Sequence, residues 1–526
     1  MNLWFGGTIY TMESIGHTVE AILEKDGIII EVGSERVLRP KATNFIDLQG
    51  AVLFPGFVDS HIHIIGYGEK LLNIDASSYK TTKDLLQALQ QRSKQVAPND
   101  WIVAIGYPEG QYKEAIFPTL EELNKFPNPI LIKRSCHHMM MANTNALQFA
   151  NITSTTKNPV GGIIEKKEGQ LTGILKDKAI YLIVNHMPIT TPDYVMRALQ
   201  AAVCSLHQYG LVGAHSEDLS YYGHPSIPLS CYKWVIAEQN FKIHLLQHHD
   251  AWDELQKIPL SPSKWLELGA MKIFLDGAFG GRTAALMTPY ADDPNNFGLH
   301  VHSMETLIQL VQKARAVKQT IATHTIGDAA LERILSILEQ YPPMDMQKDR
   351  IIHCGLANRE QVKRLALLPI IVDIQPQFIQ SEQMLLTARL GYERVQYVYP
   401  IRSLLDHNII CAGGSDAPIE TPNPLYGIYT AVTRRNVTTG EILNAQECCT
   451  RFEAISLYTL APAKAAGKES IRGKIAVGYE ADFTIVNQDI LTIDAEEILN
   501  SAVLKTVVHG KVVYENKKKH SGIYLT

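Results

Sequence analysis

Long apolar runs are missing from this chain. No segment stays apolar for the ~20 residues that a bilayer-crossing helix requires, and Met1 to Gly7 lack the basic start and apolar stretch of a secretion signal. The expected location is cytoplasmic. Cysteine is scarce and unpatterned: the seven cysteines, at 136, 204, 231, 354, 411, 448 and 449, are odd in number and lack zinc-ribbon spacing. That argues against a disulfide framework and against a thiolate metal site. Strong charge of either sign is also lacking, the formal net charge being -5 over 526 residues. The one dense basic run, Lys517-Lys518-Lys519-His520, reads as a solvated tail, so neither nucleic acid nor a membrane is expected as a partner. What the chain does have is core material, 46% hydrophobic residues against 20% charged, as in a globular protein with a large interior. Both a monomer and a homo-oligomer fit this composition.

Before residue 54 the pattern is short and β-like: Leu3 to Thr11, Ala21 to Glu31 and Phe45 to Leu53, punctuated by Gly6-Gly7, Asp26-Gly27 and Gly33-Ser34. Gly478 to Val486 and Val503 to Tyr514, with a turn at His509-Gly510, repeat it near the other end. The two ends are expected to pair into one small β-domain, residues 1–53 with 467–526. Between them, 54–466 carries eight short apolar runs that end in polar residues: Ala51 to Asp59, Leu211 to His215, Lys242 to His248, Ala270 to Asp276, Thr320 to His324, Arg350 to His353, Pro369 to Gln375 and Asn408 to Asp416. Met304 to Lys318 sets Leu307, Ile308, Val311, Ala314 and Val317 at helical spacing. Repeated strand and helix units predict an α/β fold with a parallel sheet, and eight of them a closed (β/α)8 TIM barrel. Residues 66–200 break the rhythm, with strands of their own at Trp101 to Gly106 and Pro129 to Ser135, and read as an insertion after the first barrel strand.

Such a barrel places its chemistry at the C-terminal ends of its strands. The first run ends in Asp59-Ser60-His61-Ile62-His63, the fourth carries Lys272, the fifth ends at His324, the sixth at His353 and the eighth at Asp416. His61 and His63 flank one apolar residue, so along an extended backbone both rings point to the same side and can chelate one ion. Alone that pair is a weak motif. Four of 19 histidines at matching strand ends, with Asp416, make a stronger case for a metal centre. Neutral imidazole and carboxylate suit zinc, with iron, manganese or nickel as substitutes. Lys272 has two readings. It is a structural, salt-bridged lysine, or burial neutralises its amine, which then adds carbon dioxide to become an anionic oxygen ligand.

These positions resemble the amidohydrolase superfamily, and more closely its amidohydrolase 3 branch, which includes YtcJ-like hydrolases and N-substituted formamide deformylases. The similar phrases run nearly end to end: Phe54 to His63, Gly161-Gly162 with Gly173 to Asp177, Met271 to Ala278 leading to Arg282-Thr283-Ala284-Ala285, His324 to Ala330, Arg350 to His353, Gly413 to Pro418 and Gly478 to Asp482. The resemblance implies that the terminal β-domain is a small sandwich, that the insertion is a lid over the barrel mouth, and that Lys272 is carboxylated. It implies a metal set of His61, His63, Lys272, His324, His353 and Asp416, holding one or two zinc or other divalent ions. In the insertion, a family segment with a histidine five residues before an asparagine matches His138 and Asn143, which makes His138 a candidate to hydrogen-bond the substrate or its oxyanion. The sequence also departs from the family. Strand two, which commonly ends in histidine followed by aspartate, here reads His215-Ser216-Glu217-Asp218, and a lid tryptophan is replaced by Tyr107 or Tyr112.

The implied reaction is hydrolysis of a small-molecule carbon-nitrogen bond, in an amide, formamide or cyclic amide. The metal lowers the pKa of water towards ~7. Asp416 takes the water proton and returns it to the leaving nitrogen. Arg282, His215 and Gln375 are candidate substrate contacts, Arg282 being equally suited to an internal salt bridge. Deamination uses the same barrel, but no His-x-x-Glu follows His324. Ester hydrolysis shares the metal centre, and a non-enzymatic regulator would usually have lost a ligand.

Overall fold

Gly56 divides the apolar run at residues 51–59 into two strands that serve different sheets. Val52–Pro55 pairs antiparallel with Phe483–Val486, whereas Phe57–Ile62 lies parallel to Leu211–Ser216. A side chain has no room at the junction: a Cβ on Gly56 would sit 2.5 Å from Val212 Cγ1. The computed structural model describes all residues except 77, 108–115, 135–138, 160–161, 188–190, 345 and 518–526. His138, Tyr112 and all of the basic run after Lys517 therefore lie outside the described residues.

Phe57–Ile62 opens a (β/α)8 barrel. Seven more strands follow in chain order: Leu211–Ser216, Lys242–His248, Leu266–Phe274, Ile321–Thr325, Asp349–His353, Ile370–Ile374 and Ile410–Gly413, each parallel to its predecessor. The ring is completed just past the last strand, where the Asp416 N–H donates to the His61 carbonyl and the His63 N–H to the Ala417 carbonyl, both at 2.8 Å. The fourth strand starts at Leu266, earlier than Ala270, because Leu266 and Leu268 pair with Ile243 and Leu245. Helix Met304–Ala316 forms where its apolar spacing predicts. The Ser303 hydroxyl caps it by accepting the Thr306 N–H at 3.1 Å, and Leu307, Val311 and Ala314 are buried. Val317 falls at the helix C-cap and is 51% exposed.

The chain ends share one eight-stranded sheet, built from Asn2–Tyr10, Thr18–Lys25, Ile28–Gly33, Asn44–Asp47, Val52–Pro55, Phe483–Val486, Val503–Val508 and Lys511–Glu515. Trp4, Ile9, Ile22, Leu53, Phe483 and Val507 form its apolar core. Lys242, at the start of the third barrel strand, is paired with both Glu480 and Asp482 and ties the C-terminal segment to the barrel.

Tyr67–Ala201 forms a second compact unit. Its six-stranded mixed sheet sets Ile102–Tyr107 parallel to Ile130–Arg134, which runs antiparallel to Met139–Ala142. Tyr107 is buried there, its hydroxyl donating to the Ile116 carbonyl at 3.1 Å, with the Arg134 guanidinium 5.0 Å from its ring centre. Among the described residues no helix is long and apolar enough to cross a membrane.

Candidate metal centre

Backbone geometry at the ends of strands one and eight gathers the first three expected ligands. His61 closes the first strand, His63 follows it, and the bonds between Asp416 and His61 and between His63 and Ala417 fix the loop after the last strand against them. His61 Nε2 and His63 Nε2 lie 3.4 and 3.3 Å from Asp416 Oδ1. Two ligand atoms each ~2.0–2.2 Å from a tetrahedral ion stand roughly 3.3–3.6 Å apart, so both of these separations match a chelate, and the ligand atoms of all three residues lie within 4.8 Å of one another. His61 Nδ1 is buried without a hydrogen-bond partner. Holding this arrangement strains the backbone. Asp416 has φ 55° and His353 φ 74°, a region that costs a non-glycine residue about 1–3 kcal/mol and recurs at functional sites.

The other expected ligands converge on the same point. Lys272 is fully buried, with Nζ 3.4 Å from His61 Nε2 and 4.7 Å from the centre of the Phe274 ring. His353 Nε2 is 3.0 Å from His324 Nδ1, and the His61 and His353 ring centres are 5.6 Å apart. Second partners orient the rings. His63 Nδ1 donates to the Glu217 carbonyl at 2.7 Å, and His353 Nδ1 donates to Gln375 Oε1 at 2.7 Å. The bond to Gln375 leaves His353 Nε2 with a lone pair, and the bond to Glu217 leaves His63 Nε2 turned towards Asp416. Asp59 braces strand one against the loop after strand eight, its carboxylate accepting the His61 N–H at 3.0 Å and the Ser415 N–H at 3.1 Å.

Electrostatics suit a cation. Burial, aided by the Lys272 charge, holds His61 well below its ordinary pKa; burial and the His353 charge do the same to His324. Burial brings His353 down to about 4 against the pull of Asp416. All three are neutral imidazoles at neutral pH. Burial also acts to lower His63, but the Asp416 hydrogen bond and the charges of Asp416, Glu217 and Asp218 outweigh it and bring His63 to about 9. A positive charge is thus favoured between His63 and Asp416, a place that suits a divalent ion. Burial brings Lys272 down to about 8, so a sizeable neutral fraction exists in mildly alkaline solution.

The candidate substrate contacts fall in different places. Gln375 is beside the centre: its Oε1 is engaged by His353, while its Nε2 is buried and unpartnered. Arg282 binds Asp292 through two bonds of 3.1 and 3.0 Å, the internal salt bridge that its sequence also allowed. His215 packs on His244 with ring centres 4.8 Å apart, in a cavity lined by residues that begin the strands, including Val58, Lys242 and Glu267. It is not gathered with the metal ligands. Sequence reasoning missed the role of the pair that follows it. Asp218 accepts from Ser216 Oγ at 2.6 Å, Tyr232 OH at 2.5 Å and the Ile65 N–H at 3.2 Å. Glu217 accepts from Tyr221 OH at 2.7 Å and keeps Oε1 buried and unpartnered. The available signal was two consecutive carboxylates at a barrel strand end.

Known proteins show the same whole-chain pattern. The sequence model of the amidohydrolase family matches residues 44–514. YtcJ of Bacillus subtilis (strain 168), which carries an amidohydrolase name, is 43% identical over 98% of this chain and 99% of its own length. N-substituted formamide deformylase of Arthrobacter pascens is 27% identical, over 96% of this chain and 97% of its own. The crystal structure of a metal-dependent hydrolase from Pyrococcus horikoshii OT3 superposes with a TM-score of 0.78 at 26% identity, covering 94% of this chain and 99% of the other. With its barrel, its strand-end histidines and this end-to-end likeness, the chain belongs to the amidohydrolase family and is a hydrolase.

Proposed function

We propose that this hydrolase is metal-dependent and cleaves the carbon-nitrogen bond of an amide, formamide or cyclic amide. The observation that carries the reading is the triangle of His61, His63 and Asp416, with neutral His324 and His353 beside it. His61, His63, Lys272, His324, His353 and Asp416 are the residues that would hold one or two ions, and imidazole with carboxylate favours zinc. A bound zinc ion supplies a Lewis acid that acidifies water and polarises the substrate carbonyl.

The chain's own groups carry the protons. Asp416, buried and ionised, would accept a proton from the attacking water and return it to the leaving nitrogen as the carbon-nitrogen bond breaks. Neutral Lys272 can add carbon dioxide, the amine forming a nitrogen-carbon bond and releasing a proton, which exchanges a buried cation for an anionic oxygen donor. Among the described residues no carboxylate lies within salt-bridge distance of Lys272, which favours this modification over a structural ion pair. Gln375 Nε2 offers a buried donor to substrate. His138 is proposed as a further donor to the oxyanion.

The test is a panel of N-formyl amines, N-acyl amines and cyclic amides presented to zinc-replete protein, with release of amine or ring opening followed by mass spectrometry. Turnover of one of these classes is expected. Metal-replete protein inert towards the whole panel contradicts the reading.

A further inference from the structure

We infer that His248, His249 and Asp250, at the end of the third barrel strand, form a second divalent-metal site distinct from the His61 centre. Each residue offers one ligand atom, and these atoms all lie within 4.8 Å of one another. Consecutive residues of a strand point to opposite faces, but here the strand has just ended. The His249 N–H donates to the Lys272 carbonyl at 3.0 Å, and the Ala251 N–H turns back to the His248 carbonyl at 3.0 Å. The two imidazoles consequently stack, with ring centres 4.6 Å apart and planes at 23°. Asp250 reaches back over them, placing Oδ1 3.3 Å from His249 Nε2 and Oδ2 3.7 Å from His248 Nδ1.

Burial divides the cluster in a way that suits an exchangeable ion. The side chains of His248 and His249 are 8% and 12% exposed, and that of Asp250 is 74% exposed. The rings form a wall and the carboxylate opens to solvent. Burial and the neighbouring His249 charge bring the His248 pKa to about 4, so it offers a lone pair, not a proton, at neutral pH. His249 Nδ1 is buried without a partner. His302 stands across the His249 ring at 4.8 Å and 86°, with a buried and unpartnered Nε2 of its own.

Aromatic residues separate this cluster from the first centre. His248 packs 5.7 Å from Tyr221 and 5.6 Å from Phe274. On their other sides Tyr221 lies 6.4 Å from His63, and Phe274 lies beneath Lys272. Two imidazoles and one carboxylate suit zinc, cobalt or nickel and not the oxygen-seeking magnesium or calcium. The Asp250 N–H already donates to His248 Nδ1 at 3.1 Å. An ion taking that lone pair displaces the bond, and one of its three ligands is solvent-exposed, so this site binds more weakly than the first.

Equilibrium dialysis against a series of free zinc concentrations, with zinc counted by mass spectrometry, tests the site on the full chain. Wild-type protein is expected to hold one more zinc equivalent than Asp250→Asn or His249→Gln at zinc concentrations that just saturate it, each substitution weakening that equivalent at least about tenfold. A His61→Asn/His63→Asn protein is expected to keep it. Asp250→Asn alters only an exposed side chain, so a folding defect cannot imitate the loss, and circular dichroism checks this. Equal stoichiometry and affinity in wild type and both single variants, or a folded His61→Asn/His63→Asn protein that binds no zinc, overturns the proposal.

Discussion

Asp416 combines three demands in one residue: it faces two imidazoles, is buried and sits in a left-handed backbone conformation. Burial acts to raise its pKa, but the His63 hydrogen bond and the charges of His353, His63 and Lys272 hold it below the usual carboxylate value. It is therefore ionised at neutral pH. Asp416→Asn keeps the shape and removes the charge, and kcat for amine release is expected to fall by about 10²–10⁴-fold. Gln375 acts one bond further out. Gln375→Leu removes the acceptor that fixes the His353 ring, and zinc affinity measured by competition with a chelator is expected to weaken by about 10–100-fold. At this scale the residues that gather at the centre were legible because most are polar residues where an apolar run stops. The positioning roles of Glu217 and Gln375 were not. They depend on which atoms of neighbouring strands meet, and sequence spacing carries no record of that: Glu217 orients His63 through its backbone carbonyl, an atom every residue possesses.

Among the elements, the eight apolar runs correspond to the eight barrel strands, since a strand buried on both faces needs a continuous apolar stretch and the chain offers few others. Their boundaries were less legible. The run at 51–59 serves two sheets, and the division at Gly56 is set by close approach to Val212, a contact made across more than a hundred residues of chain. Gly56→Ala is expected to lower stability by about 1–3 kcal/mol, read from urea unfolding, because the packed Val212 side chain must move. No loss of stability in that variant contradicts this account of the junction. Strand four starts before its predicted position for a similar reason, since its first residues are recruited by pairing with strand three.

The molecule as a whole also buries histidines away from the expected metal ligands, His207 and His215 among them, and burial lowers the pKa of each. His207 packs against Phe241 with ring centres 5.3 Å apart, and burial brings its pKa from 6.5 to about 4, against a weaker pull from a backbone bond to Asn240. Between those values the unfolded chain binds a proton that the folded chain refuses. Its contribution is complete above the ordinary histidine pKa and is lost as pH falls through that window, by an amount on the order of 3 kcal/mol. His207→Gln is expected to flatten this part of the stability profile between pH 6.5 and 4, measured by urea unfolding at successive pH values; an unchanged slope contradicts the assignment.

The central claim, that hydrolysis depends on an ion held at the His61 centre, is tested most directly by titrating zinc back into protein stripped of metal and following hydrolysis of a substrate found in the amide panel. The account predicts that activity disappears on stripping and returns in proportion to the tightest-bound zinc, with no recovery in a folded His61→Asn/His63→Asn protein. Stripped protein that hydrolyses the substrate at the undiminished rate contradicts it.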